Sequence, residues 1–531
     1  MQKKKIQFIC FLIILLTSLL IKTSLKANKQ SLILNQQIAK IIPKKEHLRN
    51  DIVIKLNNYN VHIDNVEDFL RNKYFILIPG KNCGKREIKT FFFKPEHSYK
   101  FIKFKKKDIS LKLILSKQET PPTVYVGNMT NIRKKFLMQA GFTLNSKMGL
   151  NNLYMTPYYI NSKFKEGINN FILNKFQKIN RFFDYEEYVS KSLIYNNYKR
   201  FKDRYPDDYK YLLETYSYPE QKDIIETKFK NYIINKSNCL WMIKPKLGSI
   251  GNNISILKDF SHKKIKLNEY IITKYLDNPH LIKGYKYDIR FYGLVSSIKP
   301  LKLYLYNEGY VRLCSEKYNF SYKSIDKKYG FITNLSLNKK NKEKYIYPKN
   351  IRNLEKSHLW DLETLQKYYK RNNINYNKIF FDVGDIFIKA LLTVREKLIQ
   401  TITENKLEFS NFYHLIGFDI ILDDNLKPYL LEFNRRCDFR DDNFAEKYYV
   451  YNLIVDTLNI IGLRPINIQN ENKNKKDKLI DILEDNLCEL DRPRGGYELI
   501  FPKKDNFRKY KKFFGDRIPE EDQKLWKNLI E

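Results

Sequence analysis

The chain has 531 residues, 43% of them hydrophobic and 15% aromatic, with 18 Gly and 17 Pro. That length exceeds one ordinary core and suggests about three domains, while the composition excludes a disordered acidic tail and a collagen-like or low-complexity polymer. A net charge of +38, from 97 basic and 59 acidic residues, fits either a polyanionic partner (nucleic acid, anionic lipid or an acidic protein tail) or charge spread over solvated faces.

Lys3, Lys4 and Lys5 precede an apolar run over residues 6–21, and small residues follow to Ala27. Residues 1–27 therefore have the shape of a secretory signal, and membrane contact through residues 6–21 as an anchor stays open because the run is short for a span. The excess of positive charge survives without the five lysines of this segment, at +33. Residues 28–120 form an N-terminal extension of short apolar runs between lysine-rich joints, with no recognisable chemistry. After Pro121 and Pro122 a strand is predicted over 123–126, then a turn at Gly127 and Asn128 and an amphipathic helix to Gly141. This pattern marks a small α/β domain over 121–185.

Residues 186–465 read as a larger region: helical to Glu214, then short apolar runs alternating with polar joints from Leu240, as in a sheet-centred domain. A surface loop is predicted over 338–344 and one long helix over about 379–402. Residues 466–531 read as a linker and C-terminal extension, with a polar stretch at 470–478, a helix over 479–490, and a turn at Gly495 and Gly496 feeding a strand. Six cysteines (Cys10, Cys83, Cys239, Cys314, Cys437, Cys488) and seven histidines are scattered. Their spacing suggests neither a zinc site nor a disulfide framework, and suits thiols in a reducing compartment.

Four segments carry chemistry. Leu415-Ile416-Gly417-Phe418-Asp419-Ile420-Ile421-Leu422 and Pro428-Tyr429-Leu430-Leu431-Glu432-Phe433-Asn434 flank a polar turn and read as a β-hairpin. A turn centred between Asn425 and Leu426 sets Asp419 opposite Glu432, with Asn434 on the same face. Facing acids in apolar strands need a cation, either magnesium or a Lys or Arg from elsewhere. In Tyr285-Lys286-Tyr287-Asp288-Ile289-Arg290, three charges share one strand face, as a salt-bridge ladder or a phosphate-handling surface. Trp241-Met242-Ile243-Lys244-Pro245 is a strand with a lysine near its end, followed by a glycine-containing loop through Gly248 and Gly251 that could cover phosphates. Tyr270-Ile271-Ile272-Thr273-Lys274-Tyr275-Leu276 has the form of a strand running into a hinge, or of plain core.

The order of these four segments resembles the ATP-grasp layout, and their residues are similar to those of the tubulin-tyrosine-ligase-like family. That family has a W-x-x-K-P strand, a K-Y hinge, a [KR]-[FY]-D-[IL]-R strand, a T-N motif and an L-E-x-N strand. Here these are Trp241 to Pro245, Lys274-Tyr275, Lys286 to Arg290, Thr333-Asn334 and Leu431 to Asn434. Ile179-Asn180-Arg181-Phe182, Lys191-Ser192-Leu193 and Thr215 to Pro219 resemble its earlier blocks, so the resemblance covers about residues 120 to 510.

The resemblance implies an α/β (α+β) ATP-grasp fold, with its catalytic region over 186–465, preceded by the small α/β domain and the N-terminal extension. It implies a ligase that uses ATP and magnesium to add an amino acid, most readily glutamate, to the acidic C-terminal tail of tubulin through an acylphosphate. Lys244, Gly251 and Lys286 would hold nucleotide phosphates, and Thr273, Lys274, Tyr275 and Leu276 the adenine. Asp419, Glu432 and Asn434 would bind magnesium. Arg290 would stabilise developing charge, Asp288 order the site, Asn334 assist at the phosphates, and Arg312 contact the amino acid or the tetrahedral intermediate.

Two departures stand out: Asn252 and Asn253 follow Gly251 where the family usually has G-x-G, and Arg435-Arg436-Cys437-Asp438 replace the usual small residues and proline. The alternatives are a non-catalytic microtubule-binding protein on the same scaffold, or a tubulin glycylase or tyrosine ligase. No nucleic-acid-binding signature accompanies the charge. The glycosylation acceptors Asn253-Ile254-Ser255 and Asn334-Leu335-Ser336 lie within the expected site, so a cytosolic, microtubule-associated catalytic region is expected despite the signal-like N-terminus.

Overall fold

The computed structural model describes residues 177–234, 240–246, 254–257, 269–319, 328–348, 351–434, 444–461, 494–515 and 518–530. It also describes strands at 123–126, 143–145 and 153–155, single positions 137, 151, 437, 489 and 490, and, as backbone alone, strands between 52 and 115. Residues 1–27, the loop with Gly251, and Arg435 and Arg436 lie outside that description, as do most residues of the helices expected before Gly141 and over 479–490.

Strands Thr123–Val126 (β1), Thr143–Asn145 (β2), Leu153–Met155 (β3) and Lys178–Ile179 (β4) form a parallel sheet in the order β2-β1-β3-β4. Helices Glu186–Val189 (α1) and Lys191–Arg204 (α2) follow. A second, antiparallel sheet holds Thr215–Tyr218 (β5), Trp241–Pro245 (β6), Ser255–Leu257 (β7) and Tyr270–Lys274 (β8) in the order β5-β8-β6-β7. Strand alternation governs β6. Trp241 and Ile243 enter a cluster with Tyr216, Phe229 and Ile272, and Lys244 projects from the other face.

The third sheet is built on Tyr285–Ile298 (β9), with Leu301–Tyr306 (β10), Tyr310–Leu313 (β11) and Leu359–Asp361 (β12). Two helices, Tyr376–Leu392 (α3) and Arg395–Glu404 (α4), cover one face, and the hairpin His414–Leu422 (β13) and Pro428–Asn434 (β14) joins the far side of β9. Helix Phe444–Ile461 (α5), strand Tyr497–Phe501 (β15) and helix Glu520–Ile530 (α6) complete this part. No described helix is long and apolar enough to cross a membrane.

Strand β9 is buried along nearly its whole length, as expected for a central strand covered on both faces. Tyr287, Ile289, Phe291 and Val295 pack with Ile386, Phe387 and Leu398 of α3 and α4. The alternate positions face the other way, where Tyr292 and Leu294 join Val450 and Leu453 of α5 and the earlier part of the strand presents Lys286, Asp288 and Arg290. Gly293 lets α3 approach: a Cβ there would overlap the Phe387 ring, which stacks on Phe418 at 5.2 Å.

One expectation needs revision. The single helix over 379–402 is broken at Thr393 and Val394. Thr393 Oγ1 donates to Ala390 O at 2.7 Å, Arg200 donates to Thr393 O at 2.8 Å, and Arg395 donates to Ile298 O at 3.0 Å. A hydroxyl that recaptures its own helix, and arginines that bind carbonyls across elements, offer the backbone partners other than a continuous helical ladder. The segment beyond 466, read as linker and extension, supplies β15 as partner of β10. Its Asp522 accepts from Leu301 N at 2.9 Å and pairs with Arg395.

Candidate active site

The strand registers place a row of charges on one face of the large sheet. Arg312 of β11 lies opposite Asp288 of β9, Arg290 of β9 opposite Asp419 of β13, and Asp419 opposite Glu432 of β14. Directly opposed residues share a face, so five charged side chains from four strands project together. The hairpin reaches this register by an unexpected route. Leu422 pairs with Pro428, which centres the turn on Asn425, and a bulge at Leu431 restores Asp419 to Glu432. The turn is closed by Asp423, whose carboxylate accepts from Lys427 N at 2.8 Å, with Leu426 left-handed at φ +63°.

Within the row, Arg290 donates from Nε and Nη2 to the two oxygens of Asp419, the second at 3.1 Å. Arg312 bridges both acids, with Nη2 2.7 Å from Asp419 and Nε 2.5 Å from Asp288. The Thr333 hydroxyl donates to the other oxygen of Asp288. All four charged groups are buried, so each depends on the others: removing one partner of such a set leaves an uncompensated charge. Burial opposes ionisation of Asp419, but Arg290 and Arg312 outweigh it and hold the carboxyl well below the usual range. Burial dominates at Asp288 and pushes its carboxyl up, with the neighbouring Asp419 adding to the effect against Arg312. Gly417 leaves room for the arrangement: a Cβ there would sit 3.3 Å from Arg290 Cδ and 3.5 Å from the Tyr292 ring, so the Arg290 side chain would have to shift by a few tenths of an ångström.

Cations converge at the near end of the row. Lys286 is buried, donates to Tyr275 OH and lies 3.7 Å from the Tyr275 ring centroid. Burial lowers its pKa to about 7, although Cys314 and Asp288 act to raise it. For the half-buried Lys244 of β6, desolvation also lowers the pKa, against the pull of Glu432 and with the help of Lys191. Lys191, the first residue of α2, stands 3.9 Å from Glu432. Within the sequence it is one lysine in a resembling block, and nothing in its local pattern points across the molecule to β14.

The hinge and the T-N motif adjoin this group with many polar atoms already in use. Thr215 Oγ1 donates to Thr273 Oγ1 at 3.2 Å, Lys274 N to Glu214 O at 2.7 Å, and Tyr275 N to Leu240 O at 2.8 Å. Leu276 follows directly. Asn334 Oδ1 caps a one-turn helix by accepting from Leu337 N at 3.0 Å. Lys244, Lys286, Asp288, Arg290, Arg312, Asp419 and Glu432 are thus brought together, Asn334 stands beside Thr333, and Gly251 is outside the described residues.

Among the described residues no group of three His, Cys, Asp or Glu side chains is placed to hold a metal. The oxygen donors in line are Glu432, Asp419 and the amide of Asn434, which lies opposite Gly417. Asn434 Nδ2 is buried without a hydrogen-bond partner. Turning that amide would direct its oxygen where the nitrogen now points, and the donor set then suits a hard divalent cation.

A small antiparallel sheet bearing a lysine, set against a large sheet bearing an acidic hairpin, defines an ATP-grasp fold. The profile of the tubulin-tyrosine ligase family matches residues 171–475, and the chain belongs to that family, whose ligases are ATP-dependent. It is 28% identical over 299 residues to a tubulin polyglutamylase of Xenopus tropicalis, covering 55% of this chain and 32% of that protein. It is also 28% identical to a tubulin polyglutamylase of Danio rerio (64% of this chain, 46% of that protein) and to a tubulin monoglutamylase of Mus musculus (55% and 24%). The chain spans less than half the length of these relatives.

Proposed function

We propose that the protein is an ATP-dependent ligase that adds glutamate to the acidic C-terminal tail of tubulin, working in the cytoplasm on microtubules. The observation that carries this reading is the row Arg312–Asp288, Arg290–Asp419–Glu432 facing Lys244 and Lys286. It combines cationic phosphate ligands with oxygen donors for a divalent ion, on a scaffold of the matching family. The names of the relatives support tubulin and glutamate as the substrates.

In the proposed reaction a carboxylate oxygen of the tail attacks the γ-phosphorus of ATP, the bond to the bridging oxygen breaks, and ADP leaves. The amine of the incoming amino acid then attacks the acyl carbon of the resulting acylphosphate. Inorganic phosphate departs with the C–O electron pair, and the nitrogen loses a proton to give the amide. Bringing anions together is the main obstacle, so positioning and charge neutralisation carry the catalysis. Lys244 and Lys286 bind nucleotide phosphates, with Lys191 adding positive charge beside Glu432, and residues 273–276 seat the adenine. Asp288, fixed by Thr333 and Arg312, and Asp419, fixed by both arginines, hold the guanidinium groups rigid near the developing charge. Glu432 and Asn434, with Asp419 behind them, would hold magnesium, which would supply further neutralisation of phosphate oxygens.

The test is incubation of the full chain with tubulin, ATP, magnesium and, separately, glutamate, glycine or tyrosine, read by mass spectrometry of the tubulin tails. Glutamate adducts are expected from the natural chain and none from Glu432→Gln. Absence of every adduct despite magnesium-dependent ATP binding would overturn the reading. Loss of ATP binding as well would favour the non-catalytic microtubule binder.

A further inference from the structure

At the far end of the row from Lys191 and Glu432 lies a polar group with no assigned role. Residues 345–348 run beside the edge of the large sheet: His358 N donates to Ile346 O at 3.0 Å, Ile346 N donates to His358 Nδ1 at 2.9 Å, and Leu313 N donates to His358 O at 2.9 Å. Leu359 is the strand partner of Arg312, and Arg312 the partner of Asp288. Tyr345 packs on this edge. Its ring stacks on His358 at 5.4 Å and 26°, and it joins the cluster that holds Leu335 and Leu359. The side chain is half-buried, but its hydroxyl oxygen is fully buried and has no hydrogen-bond partner.

We propose that Tyr345 is a substrate-binding residue whose hydroxyl, together with Arg312, holds a carboxylate of the incoming amino acid. The proposal deepens the ligase reading and rests on it. An orphaned buried hydroxyl costs stability unless it is kept for a ligand or a water. Burial holds this phenol well above its ordinary pKa, so it is a neutral donor at physiological pH. Its missing partner is therefore best supplied by an acceptor, and a carboxylate accepts most strongly.

The Arg312 charge, shared with Asp288 and Asp419, acts on the phenol and adds attraction for an anion to the hydrogen bond that the hydroxyl can donate. Position along the row selects the amino acid over the nucleotide. Lys191, Lys244 and Glu432 occupy the end where phosphates belong. The Arg312 backbone lies on the opposite side of β9, two strand spacings of about 4.8 Å from β13, with its guanidinium reaching back to Asp419, and Tyr345 lies farther out, stacked on His358 beside β12. Ground-state recognition of the amine donor is the role left for that side.

The experiment measures binding of free L-glutamate to the full chain saturated with magnesium and a non-hydrolysable ATP analogue, by calorimetry, for the natural protein and Tyr345→Phe. Phenylalanine keeps the stack on His358 and the packing, and removes only the oxygen. Tyr345→Phe is expected to weaken glutamate binding about tenfold or more while nucleotide affinity stays within about twofold. It is also expected to lessen the natural protein's preference for glutamate over its α-amide or γ-amide, a discrimination that packing alone would not move. Unchanged glutamate affinity would overturn the proposal and leave the hydroxyl to a water. A shift in nucleotide affinity instead, or no glutamate binding by the nucleotide-loaded natural protein, would overturn it equally. Glutamate binding that depends on Tyr345, without transfer to tubulin, would strike the proposed reaction and leave this assignment standing.

Discussion

Burial sets the protonation of Lys286. Packed against Tyr275 and Tyr318, and close to Cys314, Asp288, Asp277 and Lys244, its ammonium titrates near 7 rather than at the usual 10.5. Between about pH 7 and 10.5 the folded, ligand-free chain has released this proton while the unfolded chain retains it, so this group makes stability rise with pH across that window. A nucleotide phosphate reverses the balance by restoring a counter-charge. At pH 8, ATP binding should therefore take up roughly one proton. Calorimetry in two buffers of different ionisation enthalpy measures that uptake, which Lys286→Met should abolish; equal heats in both buffers for the natural protein would contradict it. The alternation of Lys286, Asp288 and Arg290 is legible in the sequence because a strand shows its faces at every second residue. Their partners are not: Arg290 meets Asp419 from 129 residues away, and no local pattern encodes that pairing. For the same reason two arginines, rather than a metal alone, answer the question of what neutralises Asp419.

Elements were readable where one face decides their placement, and less so where a single contact does. The acidic hairpin shows in its two apolar runs and polar turn, yet its bulge does not, because Leu431 looks like any strand residue until it is set opposite β13. The break between α3 and α4 was hidden in the same way, since apolar spacing continues across Thr393 and the arginine that takes its carbonyl lies 193 residues earlier. Gly293 offers a test of how α3 is seated. The Phe387 ring occupies the space a Cβ would need and stacks between β9 and β13 against Phe418. Gly293→Val should cost about 1–3 kcal/mol through overpacking, and Phe387→Ala about 3–5 kcal/mol through the cavity it leaves. The valine would partly fill that cavity, so the double variant should be more stable than the two losses combined predict, by about 0.5–3 kcal/mol in urea titrations. Strict additivity would show that the ring does not control the approach of α3.

At the scale of the molecule, chain order and structural order differ most beyond residue 466. Composition marks a polar linker there, and a linker suggests an appendage, but the last residues close the large sheet. Strand β15 pairs with β10, and Trp526 packs edge-on to Phe501 and Phe514. Two buried cations depend on the segment. Lys302 is paired with Glu489, which also accepts from Ser296 and Tyr304, and Arg395 is paired with Asp522. Stripping one partner from a buried ion pair costs about 3–5 kcal/mol, so ending the chain at 465 would forfeit about 6–10 kcal/mol from these pairs before any loss of apolar burial. Whole domains are stable by only about 5–15 kcal/mol. A chain of residues 1–465 should therefore fail to fold cooperatively and should not bind ATP, although every residue assigned to the reaction is present. Asp522→Asn in the full chain should lower the urea midpoint while nucleotide affinity in native buffer stays close to the natural value. A soluble 1–465 chain with one sharp unfolding transition and magnesium-dependent ATP binding would show instead that the sheet closes without its last strand.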